Sequence, residues 1–275
     1  MARAHFNPIG TIALITGASS GIGIGFAHEL AERGADLVLV ARRQDRLEAL
    51  AVELAEKYGT ASTVIPLDLS APGAVAELVT DLRSRKLTIG TLVNNAGFGT
   101  HGPFATSDAA RALAEVAVNV QALTALTHAF LPDLLATART NPNGAALVNV
   151  ASTAAFQPVP QMAVYGASKA YVLSFTEALW YETRQTGLKV TTVCPGPVAT
   201  EFARIAGTRS SPARPAATVD DVMHTTFSAL DRSSPPPHVV GGARNAAFAW
   251  MSTVFPRRAV VTMTGRLTTT PGRKK

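Results

Sequence analysis

Short apolar runs alternate with longer segments whose apolar residues recur at helical spacing. TIALIT at 11–16 is a β-type run that stops at a glycine-rich turn, and 22–33 carries the apolar spacing of a helix ending at Gly34. DLVLVA at 36–41 is the next strand. The segment 42–58, RRQDRLEALAVELAEKY, is rich in good helix formers and closes at Gly59. A third strand lies within 62–70, and a helix over 72–86 has Pro72 near its start. IGTLVNNAG at 89–97 holds the fourth strand, and Ser107 is placed to cap a long helix reaching about 136, with a bend expected near Pro132. GAALVNVAS at 144–152 is the fifth strand, 162–186 a helix, and LKVTTVCPG at 188–196 the sixth strand.

Strands that are apolar almost throughout, separated by helices, imply a parallel sheet covered on both faces. Right-handed crossovers make this a doubly wound α/β fold. No repeat or linker divides the 275 residues, so a single domain over 1–275 is expected, with a core at about 9–242 and a C-terminal helical extension at about 243–275. GTRSSPARPAAT at 207–218 is read as a mobile loop, and SSPPPH at 233–238 as a stiff turn before a short last strand. Apolar positions within 246–263 suggest an amphipathic helix with Arg257 and Arg258 at a kink. Packing within an oligomer is the expected use of its apolar face, with a membrane surface as the lesser alternative.

Composition narrows the function classes. Hydrophobic residues make up 47% of the chain and charged residues 16%, a balance that suits a packed core and argues against disorder. The net charge of +6 would attract anions, but Arg257, Arg258, Arg266, Arg273, Lys274 and Lys275 place much of it near one end, which reads as a solvated basic tail. No reading helix or aromatic stacking platform points to nucleic acid. Cys194 is the only cysteine and lies in an apolar run, so it is expected to be a buried, inert thiol. MARAHFNPIG has no apolar signal core and no stretch approaches the roughly 20 apolar residues of a bilayer span, so a cytoplasmic location is expected.

Three features carry chemistry. TGASSGIG at 16–23 spaces Gly17, Gly21 and Gly23 so that the backbone can turn tightly and approach a pyrophosphate at a helix N-terminus; alone, it is equally a simple strand-to-helix turn. The second strand ends in Ala41-Arg42-Arg43, where an NAD site usually holds an acid for the ribose hydroxyls. Guanidiniums at that place suit a 2′-phosphate, which favours NADP(H) over NAD(H). Tyr165 and Lys169 stand four apart on a predicted helix, hence on one face, and a neighbouring ammonium would lower the phenol pKa toward a usable acid/base. Ser152, ending the fifth strand, could polarise a substrate oxygen.

TGASSGIG, NNAG (94–97), Asn119, Ser152, YGASK (165–169) and PGPVAT (195–200), in that order, resemble the short, single-domain branch of the short-chain dehydrogenase/reductase family over about residues 9–242. The resemblance implies a Rossmann-like sheet of about seven strands, the last near 238–241, and a catalytic set of Asn119, Ser152, Tyr165 and Lys169. Hydride would pass between the nicotinamide and a carbonyl or secondary alcohol carbon, with Tyr165 as general acid/base. Lys169 would also hold the nicotinamide ribose, and Asn119 would position a water in a proton relay. Gly17, Ser19, Ser20, Gly21, Ile22 and Gly23 would form the cofactor loop, Asp68 and Leu69 would meet the adenine, Asn95, Ala96 and Gly97 the adenosine ribose, and Pro195, Gly196, Val198 and Thr200 the nicotinamide amide and phosphates. NADP-preferring members often carry a basic residue where Ser20 stands, so the cofactor choice rests mainly on Arg42. The segment from 239 to 267 resembles the tail of a bacterial-type subgroup of generic oxidoreductases, some related to hydroxysteroid and acyl-chain reductases.

Phe98, His101, Phe156, Met162 and Phe202 are candidates to line an apolar substrate pocket, although core or lid packing, or for His101 an exposed surface loop, is the plainer explanation of each. A homodimer or homotetramer is expected, paired through the helices at about 107–136 and 162–186; apolar residues on two faces of the second, such as Val172, Phe175 and Leu179, fit burial against a partner as well as the sheet. No metal is expected. A catalytically silent NADP-binding sensor or scaffold is the competing reading, and the Ser152–Tyr165–Lys169 set argues against it.

Overall fold

The computed structural model describes residues 5–141, 143–208 and 216–268. Seven strands form one parallel sheet in the order β3-β2-β1-β4-β5-β6-β7: β1 (Ile12–Thr16), β2 (Asp36–Ala41), β3 (Ser62–Pro66), β4 (Ile89–Asn94), β5 (Ala146–Val150), β6 (Lys189–Cys194) and β7 (His238–Val240). Period-two alternation sorts the strand side chains into two cores. Ala13, Ile15, Leu37 and Leu39 face one side, with α1 (Ile22–Glu32), α2 (Gln44–Tyr58) and α8 (Val219–Leu230) supplying Phe26, Leu30, Leu47, Leu54 and Phe227. Leu14, Val38, Val40 and Leu92 face the other, against Leu78 and Leu82 of α3 (Ala74–Ser84) and Leu126, Phe130 and Leu134 of α5 (Leu123–Thr140). Both faces are therefore dry, and β4 and β5 in the middle of the sheet are buried along their whole length, with Asn94 donating to Asn149 between them.

Strand order reverses between β1 and β4, the switch point where α/β sheets open a crevice at the carboxyl ends of their strands. The elements around that crevice are α4 (Ala109–Val116), α6 (Ala163–Thr183), the short α7 (Phe202–Ala206), and the C-terminal pair α9 (Ala243–Val254) and α10 (Arg257–Thr268).

Three expectations need correction. The long helix is capped by Asp108, whose carboxylate accepts from Ala110 N at 2.9 Å, while the Ser107 hydroxyl turns back to donate to Phe104 O. That helix continues through a π-helical turn at Ala117–Ala122 to Thr140, past the expected end, because its apolar positions keep meeting the sheet to Ala138. The C-terminal segment is two helices, separated at Phe255 and Pro256, since proline cannot donate to a continuing ladder; Arg257 and Arg258 open the second. Val172 is fully buried in the chain's own core, on the inward of the two apolar faces expected for its helix. Of the loop expected at 207–218, Val198 bridges Ala217, and 209–215 lie outside the described residues, as do Arg273, Lys274 and Lys275. Among the described residues no helix is long and apolar enough to cross a membrane.

Candidate active site

The glycine turn follows β1. Thr16 Oγ1 accepts from the backbone N of Asn95 and of Ala96, each at 3.0 Å, and Asn95 Nδ2 donates to Thr16 O at 2.9 Å, so the ends of β1 and β4 are laced together. A Cβ at Gly23 would lie 2.2 Å from Gly17 O, and one at Gly21, whose φ is +54°, would lie 2.8 Å from Thr200 Cγ2. Only glycine lets the turn come this close to the first turn of α1 and to the segment after β6. Helix α1 starts with no side-chain cap and no acid in its first turn, so its N-terminal amides and dipole are available to an anion. These residues fit the pyrophosphate of a dinucleotide. Ser19 is buried, Ile22 packs on the core, and Thr153 N donates to Pro195 O at 2.9 Å, which ties the segment after β6 to the segment after β5.

At the end of β2, Ala41 is buried and Arg42 is exposed. Burial would raise the Asp68 carboxyl, but the Ser70 backbone and hydroxyl bonds, at 2.9 and 2.7 Å, and the Arg42 charge win and hold it low. Arg43, which could have pointed to solvent, instead donates to Ser19 Oγ, to Ser19 O at 3.1 Å and to Glu201 Oε2 at 2.8 Å. Leu69 is buried, while after β4 Ala96 lies against Gly17 and Gly97 beside Asn119.

The four expected catalytic residues converge. Ser152 follows β5 and accepts from Ala154 N at 3.1 Å. Lys169 is buried on α6 and donates to Val150 O at 2.8 Å, with Nζ 5.8 Å from the Tyr165 ring centre. Burial lowers its pKa to about 8. Burial also pushes the Tyr165 hydroxyl up to about 12, with Ser152 opposing by a hydrogen bond and Glu115 adding to the rise. The lowering expected from Lys169 is not found: the one opposing influence is the Ser152 hydrogen bond, desolvation exceeds it, and Tyr165 holds its proton at neutral pH. Asn119, in the π-helical turn, accepts from Phe98 N at 3.1 Å and donates to Phe98 O at 2.9 Å and to Ser168 Oγ at 3.0 Å. It clamps the chain after β4 against α6.

Of the proposed pocket residues, Met162 and Phe202 meet over Tyr165. The Phe202 and Tyr165 rings are 5.2 Å apart, and a Cβ at Gly99 would touch Met162, Tyr165 and Phe202 at 2.9, 3.1 and 3.2 Å. Phe98 lies under the Arg111 guanidinium. His101 ties its loop to the helices, its backbone N donating to Ala206 O and its ring meeting Thr268 O. Phe156 is not brought to Tyr165; it sits edge-on to His238, 5.5 Å away.

Four residues here were not anticipated. Gly99 floors the pocket. Arg111 donates to Thr100 Oγ1 at 3.0 Å and to Ile205 O at 2.8 Å, holding α7 to the loop after β4. Glu115 is fully buried, and neither carboxyl oxygen has a well-placed hydrogen-bond partner; burial raises its pKa against the pull of Thr100, Arg111 and Lys169. The signal for these two was the spacing Arg111, Glu115, Asn119, one residue per turn on a single helix face. Glu201 pairs with Arg43 and Arg46, more than 150 positions away, and its one local pair, Arg204 at i+3, is an ordinary helix-face ion pair that does not single it out.

Comparison with known proteins agrees with this geometry. The family model described as short chain dehydrogenase matches residues 11–210. Sulfoacetaldehyde reductase 2 of Chromohalobacter salexigens is 40% identical over 192 residues, 70% of this chain and 74% of that one. The matched stretch covers only 57% and 62% of two further, longer relatives. Among solved structures, a short-chain dehydrogenase from Sphingobium yanoikuyae in complex with NADPH is 32% identical with a TM-score of 0.78, covering 96% of this chain and 98% of that one. A 7beta-hydroxysteroid dehydrogenase superposes with a TM-score of 0.83 at 26% identity, covering 94% and 98%. The chain thus belongs to the short-chain dehydrogenase family of nicotinamide-dependent oxidoreductases.

Proposed function

We propose that the chain is an NADP(H)-dependent reductase or dehydrogenase that acts on a carbonyl or secondary alcohol with an apolar flank. The observation that carries this reading is Tyr165: a protonated phenol bonded by Ser152, beside the buried Lys169, under a small apolar roof of Met162 and Phe202. When bound, the nicotinamide supplies or accepts the hydride. Ser152 and Tyr165 both address the substrate oxygen, and Tyr165 gives its proton as the oxygen gains charge. Lys169 stabilises the phenolate left behind and holds the nicotinamide ribose, and Asn119 keeps Phe98 and Gly99 in register beneath the pocket. Arg42, exposed at the end of β2 where no acid stands, is the residue for a 2′-phosphate. Such a charge-assisted contact is worth about 1.5–3 kcal/mol, so kcat/KM for NADPH should exceed that for NADH by roughly tenfold to a hundredfold. Equal values at one ionic strength would remove Arg42 from the cofactor.

The pH dependence has a defined sign. Tyr165 keeps its proton to about pH 12, so its loss does not limit reduction near neutrality. Lys169 is charged below about 8 and neutral above it. Carbonyl reduction should be full below that pH and fall as pH rises through it; a profile flat past pH 8 would show that the Lys169 charge is not required.

Gly99 sets the pocket floor. Gly99→Val overpacks it by an amount that costs about 1–3 kcal/mol, so KM for a bulky ketone should rise about fivefold to a hundredfold with NADPH affinity unchanged. An unchanged KM would place the substrate elsewhere.

The reading includes a homodimer or homotetramer. On α6 the exposed residues Ala163, Ala167, Ala170, Ser174 and Ala178 form one small-residue face, beside a groove of about 280 Å³ lined by Val116, Val120, Val164, Ala167 and Ser168. That exposed face, with Val172 turned into the chain's own core, is the surface for a second copy. Light scattering should show an oligomer at micromolar concentration, and a stable monomer would count against it.

A further inference from the structure

Glu201 stands among three guanidiniums: Arg43 at 2.8 Å, Arg204 at 3.2 Å and Arg46 at 3.3 Å. Arg43 and Arg46 come from the start of α2, and Arg43 also grips Ser19 in the glycine turn. Arg42, next in the chain, is exposed. One carboxylate among so many cations leaves this corner positive, at the end of β2 where a 2′-phosphate belongs. The Arg43 bond and the charges of Arg43 and Arg46 hold the Glu201 carboxyl below its ordinary value, so it is an anion at neutral pH.

The geometry points to Glu201 as a resident anion that competes with the cofactor's 2′-phosphate for Arg43 and Arg46, which makes it a determinant of cofactor selectivity and links that choice to the position of α7. The inference rests on the NADP(H) reading above. Arg43 has its Nε and Nη2 committed to Ser19 and its Nη1 to Glu201. Presenting a fork to a phosphate requires releasing Glu201. A phosphate monoester carries about −1.5 to −2 at neutral pH and three acceptor oxygens, so it displaces a single carboxylate. A dinucleotide without that phosphate leaves the pair closed.

The pair is also a tether. Glu201 precedes Phe202, whose ring lies 5.2 Å from that of Tyr165, and Thr200 packs against Gly21. The other end of α7 is held independently, by Arg111 on Ile205 O and by His101 N on Ala206 O. Phe202 already lies over Tyr165 with the pair closed; displacement of Glu201 frees the first end of α7 and leaves the second anchored, so Phe202 gains freedom to shift over the pocket when the phosphorylated cofactor is in place.

The test is calorimetric titration of the full chain and of Glu201→Gln with adenosine 2′,5′-bisphosphate and with 5′-AMP, at one ionic strength. Glu201→Gln should bind the bisphosphate about tenfold more tightly than the unmodified chain, the size of one charge-assisted contact, with 5′-AMP affinity within about twofold. The unchanged 5′-AMP affinity shows that the variant is folded. Amide exchange over 202–206 should rise with the bisphosphate and not with 5′-AMP. If the bisphosphate is preferred by the unmodified chain but Glu201→Gln gains nothing, the competition is wrong while the NADP(H) reading stands. If both ligands bind the unmodified chain equally, the NADP(H) reading falls and takes this inference with it.

Discussion

Tyr165→Phe is expected to fold, to bind NADPH as the unmodified chain does, and to lose a factor of about 10²–10⁴ in carbonyl turnover, the range of general acid–base help. The substitution removes one hydroxyl. The ring keeps its contacts with Phe202 and the space over Gly99, so packing is preserved. What is lost is a proton held in the right place: burial keeps Tyr165 protonated, and Ser152 orients it. Steady-state rates with a ketone, alongside a fluorescence titration of NADPH, separate the two effects. A variant with near-normal kcat would mean that another group delivers the proton; Glu115, buried close by with its own raised pKa, would then be the next to examine.

Lys169→Met is expected to damage two things at once. The ammonium is buried, bonded to Val150 O, and within 5.8 Å of the Tyr165 ring, so its removal strips the phenolate of its compensating charge. It also removes the donor proposed for the nicotinamide ribose. Loss of a charge-assisted contact of about 1.5–3 kcal/mol weakens NADPH binding by roughly tenfold to a hundredfold, and turnover falls further because the leaving proton no longer has its partner. The methionine fills most of the same volume, and a depressed lysine pKa marks a charge that burial penalises, so the fold itself should not weaken below pH 8. A thermal melt checks that. Normal cofactor affinity together with normal turnover would sink the assigned role.

What could be read in the sequence was whatever is encoded locally. The strand at 36–41 coincides with β2 because every residue from Leu37 to Ala41 is buried by covered faces, and the run has no other explanation. The glycines at 17, 21 and 23 were legible because backbone approach leaves glycine no substitute. Ser152, Tyr165 and Lys169 were legible as a set, and the fold brings them together with Asn119. What escaped notice depends on tertiary neighbours. The π-helical turn that aims Asn119 at Phe98 has the composition of an ordinary helix. Val172 and the alanine face of α6 differ only in which side of the helix meets the sheet, and that was settled by packing against Leu123 and Cys194. Cys194 itself is buried with its thiol pushed up to about 12, as an inert thiol should be. Phe156 turned to His238 and not to Tyr165, a choice of rotamer and loop path that periodicity does not encode. Arg43 and Glu201 meet across 158 residues, and only the closed fold shows that the second arginine is already engaged.

The most direct test of the central claim is hydride transfer itself. The full chain is mixed with NADPH and a panel of ketones and aldehydes with apolar flanks, and both cofactor oxidation and alcohol formation are measured. The account predicts that at least one member is reduced, with one alcohol formed per NADPH consumed, and that Tyr165→Phe cuts the rate by about 10²–10⁴ without releasing the cofactor. Tight NADPH binding with no alcohol from any member, in the unmodified chain as in the variant, would contradict it and leave a protein that binds the nucleotide without using it.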